Sequence, residues 1–245
     1  MLAEAIVYCL SYGGTPPAFR RHLADAVGLW ARGRRQRRAW APHIERTQAL
    51  IEGAMADVPG RRTVAVLGAG PLFDIPLERL AASFERVVLL DIAHLWPARR
   101  RIARFGNVDA AWRDLAPAGE PAPLAFLNGI PGLDWVISVN LVSQLAHVAR
   151  EGDEAAVVDR HLGGLDALPV PVTLVTDVSY RLLDRQGAAV ESFDLLYGRR
   201  LPPSALSWQW EVAPFGEESA GTRRVHEVVA YAGWHAACRD ANRPR

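Results

Sequence analysis

The stretch Val64-Ala-Val-Leu-Gly-Ala-Gly70 ends a short apolar run in two closely spaced glycines, and the chain continues through Pro71-Leu-Phe-Asp74 into an amphipathic segment. Few folds accommodate that succession. Thr63 to Leu67 reads as a strand buried on both faces. Glycines directly after a strand permit positive φ, and a following helix points its free N–H groups back at the turn. That helix is expected over Pro76 to Phe84, capped by Asp74 or a neighbour. Strand, glycine turn and helix in this order make the first half of a βαβ unit, so a parallel sheet is expected.

The chain keeps this rhythm. Strands are expected at Val87 to Leu90, Val108 to Trp112, Trp135 to Val139 and Val172 to Asp177, with helices over Leu95 to Phe105, Leu141 to Arg150 and Glu154 to Leu168. Leu206 to Val212 and Arg224 to Tyr231 alternate apolar and polar residues around a Gly/Glu/Ser-rich link, the pattern of an antiparallel hairpin. Ahead of Pro59-Gly60, residues 17 to 57 carry apolar positions at helical spacing (Phe19, Leu23, Val27, Trp30, Trp40, Ile44, Leu50, Ile51, Met55), read as two or three helices. The expected architecture is a doubly wound α/β fold. It has a seven-stranded, mostly parallel sheet with a C-terminal antiparallel hairpin, residues 61–245, and a helical N-terminal extension or cap, residues 1–60.

Composition narrows the chemistry. Half of the 245 residues are hydrophobic and the formal net charge is +1, so the chain can bury a core and carries no global field to gather polyanions. Lysine is absent, which removes P-loop, Schiff-base and pyridoxal phosphate mechanisms. With abundant Ala, Gly and Pro, the arginine-only usage fits a GC-rich genome. The two cysteines, Cys9 and Cys238, are too few and too separated for a zinc site or a disulfide framework, so no metal is expected and a reducing cytoplasm fits. The first residues lack a basic segment followed by a long apolar one, and no later segment has membrane-spanning length without charge; no membrane role is expected.

In a doubly wound sheet, ligands bind beyond the carboxyl ends of the strands where strand order reverses. Gly68, Ala69 and Gly70 fall there. Asp91 closes the second strand about 20 residues later, where a carboxylate accepts hydrogen bonds from ribose hydroxyls. The pairing points to an adenosine-containing ligand. A dinucleotide fingerprint wants a third small residue where Phe73 stands, which disfavours NAD. Asp114 ends the third strand and Asn140 the fourth, placed to read an adenine amine and to approach a reacting centre.

On Val64 to Gly70, Val87-Val-Leu-Leu-Asp91, Arg113-Asp114 and Asp134 to Asn140, the sequence resembles the class I, Rossmann-like, S-adenosylmethionine-dependent methyltransferases over roughly residues 61 to 231. The terminal hairpin matches that family's last two strands. The resemblance implies S-adenosylmethionine as cofactor, with Gly68, Ala69 and Gly70 at its methionine end, Asp91 at the ribose, and Ile92 and Asp114 at the adenine. The sequence departs from the pattern at Val66, where many members have an acid, and at Leu72, where many have a third small residue. Methyl transfer is an in-line displacement that depends mostly on alignment, so no strong catalytic constellation is required. Asn140, Tyr180 and His147 are the catalytic candidates. Gln144 and His147 follow Asn140 at helical spacing, Asp177, Ser179 and Tyr180 end the fifth strand, and His161 is read as a structural helix residue. Trp30, Trp40 and His43 are expected to pack among the leading helices or to cover the cofactor.

A small-molecule acceptor is the leading expectation, with oligomeric state left open. The alternatives are an RNA methyltransferase gripping phosphate through Arg32-Gly-Arg-Arg-Gln-Arg-Arg38, interleaved with Trp30 and Trp40, and a non-catalytic nucleotide-binding protein on the same fold. For the arginine run, a solvated helix face or contact with the protein's own acids is the simpler reading.

Overall fold

The computed structural model describes residues 2–147, 149–204 and 206–241. Its centre is a single sheet in the order β3-β2-β1-β4-β5-β8-β7, with β6 attached to β5 off that path. The strands are β1 (Thr63–Leu67), β2 (Arg86–Asp91), β3 (Val108–Trp112), β4 (Leu133–Val139), β5 (Val172–Leu183), β6 (Ala189–Asp194), β7 (Leu206–Ala213) and β8 (Arg223–Tyr231). The first five pair in parallel, and β6, β7 and β8 join antiparallel. All residues of β1 are buried, because helices cover both faces and leave no polar side for alternation.

The helices are α1 (Leu2–Tyr12), α2 (Leu23–Arg35), α3 (Arg37–Ala54), α4 (Leu77–Ser83), α5 (Trp96–Ile102), α6 (Val142–His147), α7 (Glu154–Asp166) and α8 (Trp234–Ala241). One face of the sheet packs with Ile51 and Ala54 of α3, Leu77 and Leu80 of α4, and Ala98 and Ile102 of α5. The other takes Val142 and Leu145 of α6, Val157, Val158 and Leu165 of α7, and Trp234 of α8. None of the described helices is long and apolar enough to cross a membrane.

Three features differ from the sequence expectation. The sheet has eight strands rather than seven, because β5 runs on to Leu183 instead of stopping at Asp177. Its overhang, Ser179 to Leu183, pairs with β6 on one side and with β8 on the other. Every residue of β6 is exposed, so neither a buried run nor a clean alternation marked it. Asp74 does not cap α4, whose N-cap residue is Pro76 with no side-chain cap bond. Its carboxylate instead meets Asn140. Finally, α8 was not expected as a helix, and α1 lies within the expected helical extension but ahead of its periodic stretch, residues 17 to 57.

The leading helices divide. Val7 of α1 and Leu23, Val27, Trp30 and Ala31 of α2 form a separate small core with Leu95, and Phe73 packs against it. Leu95 follows β2 and Phe73 follows the glycine turn, so α1 and α2 sit at the carboxyl edge of the sheet. Reciprocal polar contacts fix α1 there: Ser11 Oγ accepts the Trp96 N–H at 2.9 Å, and Arg99 donates to the Leu10 carbonyl at 2.9 Å. The first contact satisfies a free amide at the start of α5, the second a free carbonyl at the end of α1.

Candidate functional site

Strand order reverses between β1 and β4, so the crevice at their carboxyl ends is where this architecture holds a ligand. Gly68 and Gly70 there have φ of +77° and +47°. Gly68 is glycine for a packing reason as well, since a Cβ would lie 2.9 Å from the Val139 carbonyl and 3.1 Å from Leu141 Cβ. Around Gly70 a Cβ would meet only the Gly68 carbonyl, at 3.9 Å, so that glycine serves backbone conformation. Leu72 takes φ +63° in the place where the resembled family carries its third small residue. Burial of its side chain and a 2.7 Å bond from Arg101 to its carbonyl hold it there.

Asp91 ties the turn to β2. One oxygen accepts the Gly70 N–H at 2.7 Å and the other the Ala93 N–H at 2.9 Å. A carboxylate offers about four lone-pair positions, and these two bonds take one on each oxygen. Burial pulls its pKa up, opposed by His94 and by the N–H groups of Ala93, Gly70 and Ile92. Ala69 is buried and Ile92 half-buried. Asp114, beyond β3, accepts the Ala116 N–H in a local turn. The structure thus gathers Gly68, Ala69, Gly70, Asp91 and Ile92 around the glycine turn, with Asp114 two strands across from it.

Asn140 is the meeting point of a polar chain running from the N-terminal helices to the C-terminal hairpin. Indole nitrogen only donates, so Trp208 Nε1–H donates to His43 Nδ1 at 3.1 Å. Burial keeps His43 neutral, its pKa pushed down to about 4. Its Nε2 lies 3.0 Å from the Asn140 side-chain nitrogen, which donates to Asp74 Oδ2 at 2.6 Å. Burial raises the Asp74 pKa to about 6, against the Asn140 contact and a backbone N–H that lower it. Asn140 Oδ1 is buried with no hydrogen-bond partner among the described residues.

A second network adjoins the first. Asp177 accepts Ser143 Oγ–H at 2.5 Å and lies 2.6 Å from His226 Nδ1. Burial works to raise the Asp177 pKa, but the His226 and Ser143 hydrogen bonds outweigh it and the net shift is downward. The His226 ring stacks on Tyr180, centroids 5.6 Å apart, and meets Trp210 edge-on at 5.9 Å. Trp210 in turn stacks flat on His43 at 4.0 Å. With Nδ1 directed at a carboxylate, His226 Nε2 is buried with no hydrogen-bond partner among the described residues. Tyr180 donates to Glu191 at 2.7 Å, and Ser179 pairs in the sheet with Asp194 and Glu227.

Other candidates lie elsewhere. His147 is exposed at the end of α6, and Gln144 donates to the Asn140 carbonyl at 2.6 Å. His161 is fully buried against Ser138 at 3.1 Å with its pKa pushed down to about 4 by burial, a structural contact on the α7 face. Trp30 packs in the α1–α2 core, and Trp40 donates to the Val212 carbonyl at 3.0 Å. Arg32 and Arg35 pair with Glu217 and Glu218, Arg35 also with Glu4, so the protein's own acids take up part of the arginine run. His226, Trp208 and Trp210 were not singled out from the sequence. Alternation marked their strands, but only the pairing of β8 with β5 brings His226 to Asp177.

Fold and site together define a doubly wound α/β protein whose glycine turn stands at the β1–β4 reversal of strand order. No protein-family model matches the chain. It is 29% identical over 214 residues to the 8-amino-7-oxononanoate synthase of Alkalilimnicola ehrlichii, a match covering 75% of this chain and 52% of that protein. The chain therefore spans about half the length of the curated relative it matches. Similar solved structures include the N-methyltransferase NodS of Bradyrhizobium japonicum with S-adenosyl-L-homocysteine, at 14% identity over 76% of this chain and 85% of that one, TM-score 0.40. An O-methyltransferase family protein of Burkholderia thailandensis is 18% identical over 65% and 44% of the two chains, TM-score 0.44. A putative Zn-dependent alcohol dehydrogenase of Rhodobacter sphaeroides is 17% identical over 52% and 45%, TM-score 0.38. At these scores the reading of the crevice rests on its own geometry.

Proposed function

We propose that this protein is an S-adenosylmethionine-dependent methyltransferase acting on a small-molecule acceptor. The observation that carries the reading is the glycine turn held by Asp91: Gly70 at φ +47° donates its N–H to the carboxylate that closes β2. Asp91 holds the ribose, Ile92 and Asp114 border the adenine, and the turn takes the methionine end. When bound, the cofactor supplies a methyl group on a sulfonium. The chain's task is alignment, to which α1 and α2 contribute by closing over Phe73 and Leu95. His226, oriented by Asp177, is the residue we assign to accept a proton from an O–H or N–H acceptor.

Titration calorimetry with S-adenosylmethionine, S-adenosylhomocysteine and NAD tests the reading. The first two are expected to bind and NAD not. Asp91→Ala is expected to weaken both by at least about tenfold, as for loss of a charge-assisted hydrogen bond. Preference for NAD, or unchanged affinity in Asp91→Ala, would overturn it. For the RNA alternative, Arg32 and Arg35 are already paired internally. Gel shift with RNA is expected to show no binding that Arg34→Ala with Arg38→Ala abolishes.

A further inference from the structure

Resting on the reading of His226 as the proton acceptor, we infer that Trp210 and Arg224 hold a carboxylate of the methyl acceptor, which is a small hydroxy- or amino-carboxylic acid. Buried hydrogen-bonding groups nearly always find a partner, and one left without is costly. Trp210 Nε1, Arg224 Nε and His226 Nε2 are buried, and none has a hydrogen-bond partner among the described residues. Indole and guanidinium nitrogens only donate. What completes Trp210 and Arg224 therefore brings acceptor atoms.

The sheet puts the three nitrogens on neighbouring side chains. Trp210 of β7 and Tyr180 of β5 lie opposite His226 of β8 in register. Arg224, two residues back along β8, shares the face of His226 and is diagonal to Trp210. Its guanidinium lies over the Tyr180 ring, Cζ 4.7 Å from the centroid, and that ring stacks on His226. Trp210 is half-buried, and the Arg224 and His226 side chains are 32% and 12% exposed, so none of the three belongs to the sealed core.

Charge selects the ligand group. The acids beside this face are already answered: Asp177 by Ser143 and His226, Glu191 by the Tyr180 hydroxyl, and Glu218 by Arg32 Nη2 and Arg224 Nη2, each at 3.1 Å. Arg224 Nε and Trp210 Nε1 are left over. A carboxylate offers two oxygens to these two donors and the charge that a guanidinium favours. His226 makes the opposite demand. With Asp177 held ionised and facing Nδ1, the proton of a neutral ring sits on Nδ1 and Nε2 is a bare acceptor. Acceptor oxygens at Trp210 and Arg224 and an O–H or N–H at His226 together describe a hydroxy or amino acid.

The test uses protein saturated with S-adenosylhomocysteine, titrated with salicylate, anthranilate and lactate and with the amide of each, while the indole N–H resonances are followed by nitrogen-15 NMR. Trp210 is identified by the resonance missing from Trp210→Phe. At least one acid is expected to bind about tenfold or more tighter than its amide, as for a charge-assisted hydrogen bond, and to move the Trp210 resonance downfield. Arg224→Gln is expected to weaken that acid about tenfold and to change its amide by no more than about twofold. The acid-to-amide comparison in wild type decides even where a variant fails to fold. Equal binding of acid and amide, no binding by any of the three acids, or a Trp210 resonance that stays in place overturns the inference and leaves the methyltransferase reading standing. Failure of S-adenosylhomocysteine to bind the wild type overturns the reading, and the inference with it.

Discussion

Leu72 is a branched residue in a conformation glycine adopts freely, at φ +63° and fully buried. The left-handed region costs roughly 1–2 kcal/mol for such a residue, while deleting a buried leucine side chain costs roughly 3–5 kcal/mol. Packing wins, so Leu72→Gly is expected to destabilise the fold by about 2 kcal/mol in urea denaturation even though it relieves the backbone. A stabilised variant would show that the side chain contributes little. Asp177 is the converse case, a polar residue whose neighbours depend on it. Asp177→Ala leaves Ser143 and His226 Nδ1 without their acceptor, with an expected loss of roughly 2–4 kcal/mol. Because the Asp177 pKa is depressed in the fold, its contribution is complete above the ordinary carboxylate value and is lost only as pH falls through the lower folded one.

At the level of elements, the parallel core was legible because burial on both faces writes continuous apolar runs into the sequence, as at Val64–Leu67 and Val87–Leu90. The glycine turn and Asp91 were legible for the same reason: backbone conformation and a strand's end are local properties. The Asp177–His226 and His43–Trp208 contacts are not local. They join residues 49 and 165 positions apart, and nothing in the local pattern of either partner names the other. β6 escaped because a strand exposed along its length has no periodicity to read. The α1 contacts make an element-scale prediction. Arg99→Ala with Ser11→Ala removes the carbonyl and amide partners that dock α1, so amide exchange in Leu2–Tyr12 is expected to accelerate at least about tenfold while the sheet stays protected. Equal protection in the double variant would mean that apolar contact alone holds the helix.

Across the molecule, three buried histidines set the acid limit. Burial lowers the pKa of His43, His94 and His161, the first and last to about 4 against an ordinary value of 6.5, so the unfolded chain binds more protons between those values and stability falls as pH drops through that window. Asp74, raised from 3.8 to about 6, works the opposite way over nearly the same range. Urea midpoints are expected to decline from pH 6.5 to 4.5, less steeply in His161→Gln and more steeply in Asp74→Asn. A flat profile in Asp74→Asn would mean that none of these imidazoles is held neutral. The distance in sequence between α3 and β7 also bears on biosynthesis. Trp40 and His43 leave the ribosome early, yet their partners, the Val212 carbonyl and Trp208, lie 172 and 165 residues downstream. A nascent chain halted before the terminal hairpin would therefore carry the glycine turn but leave Trp40 and His43 without these partners, and α3 would be tied down only as the last strands emerge.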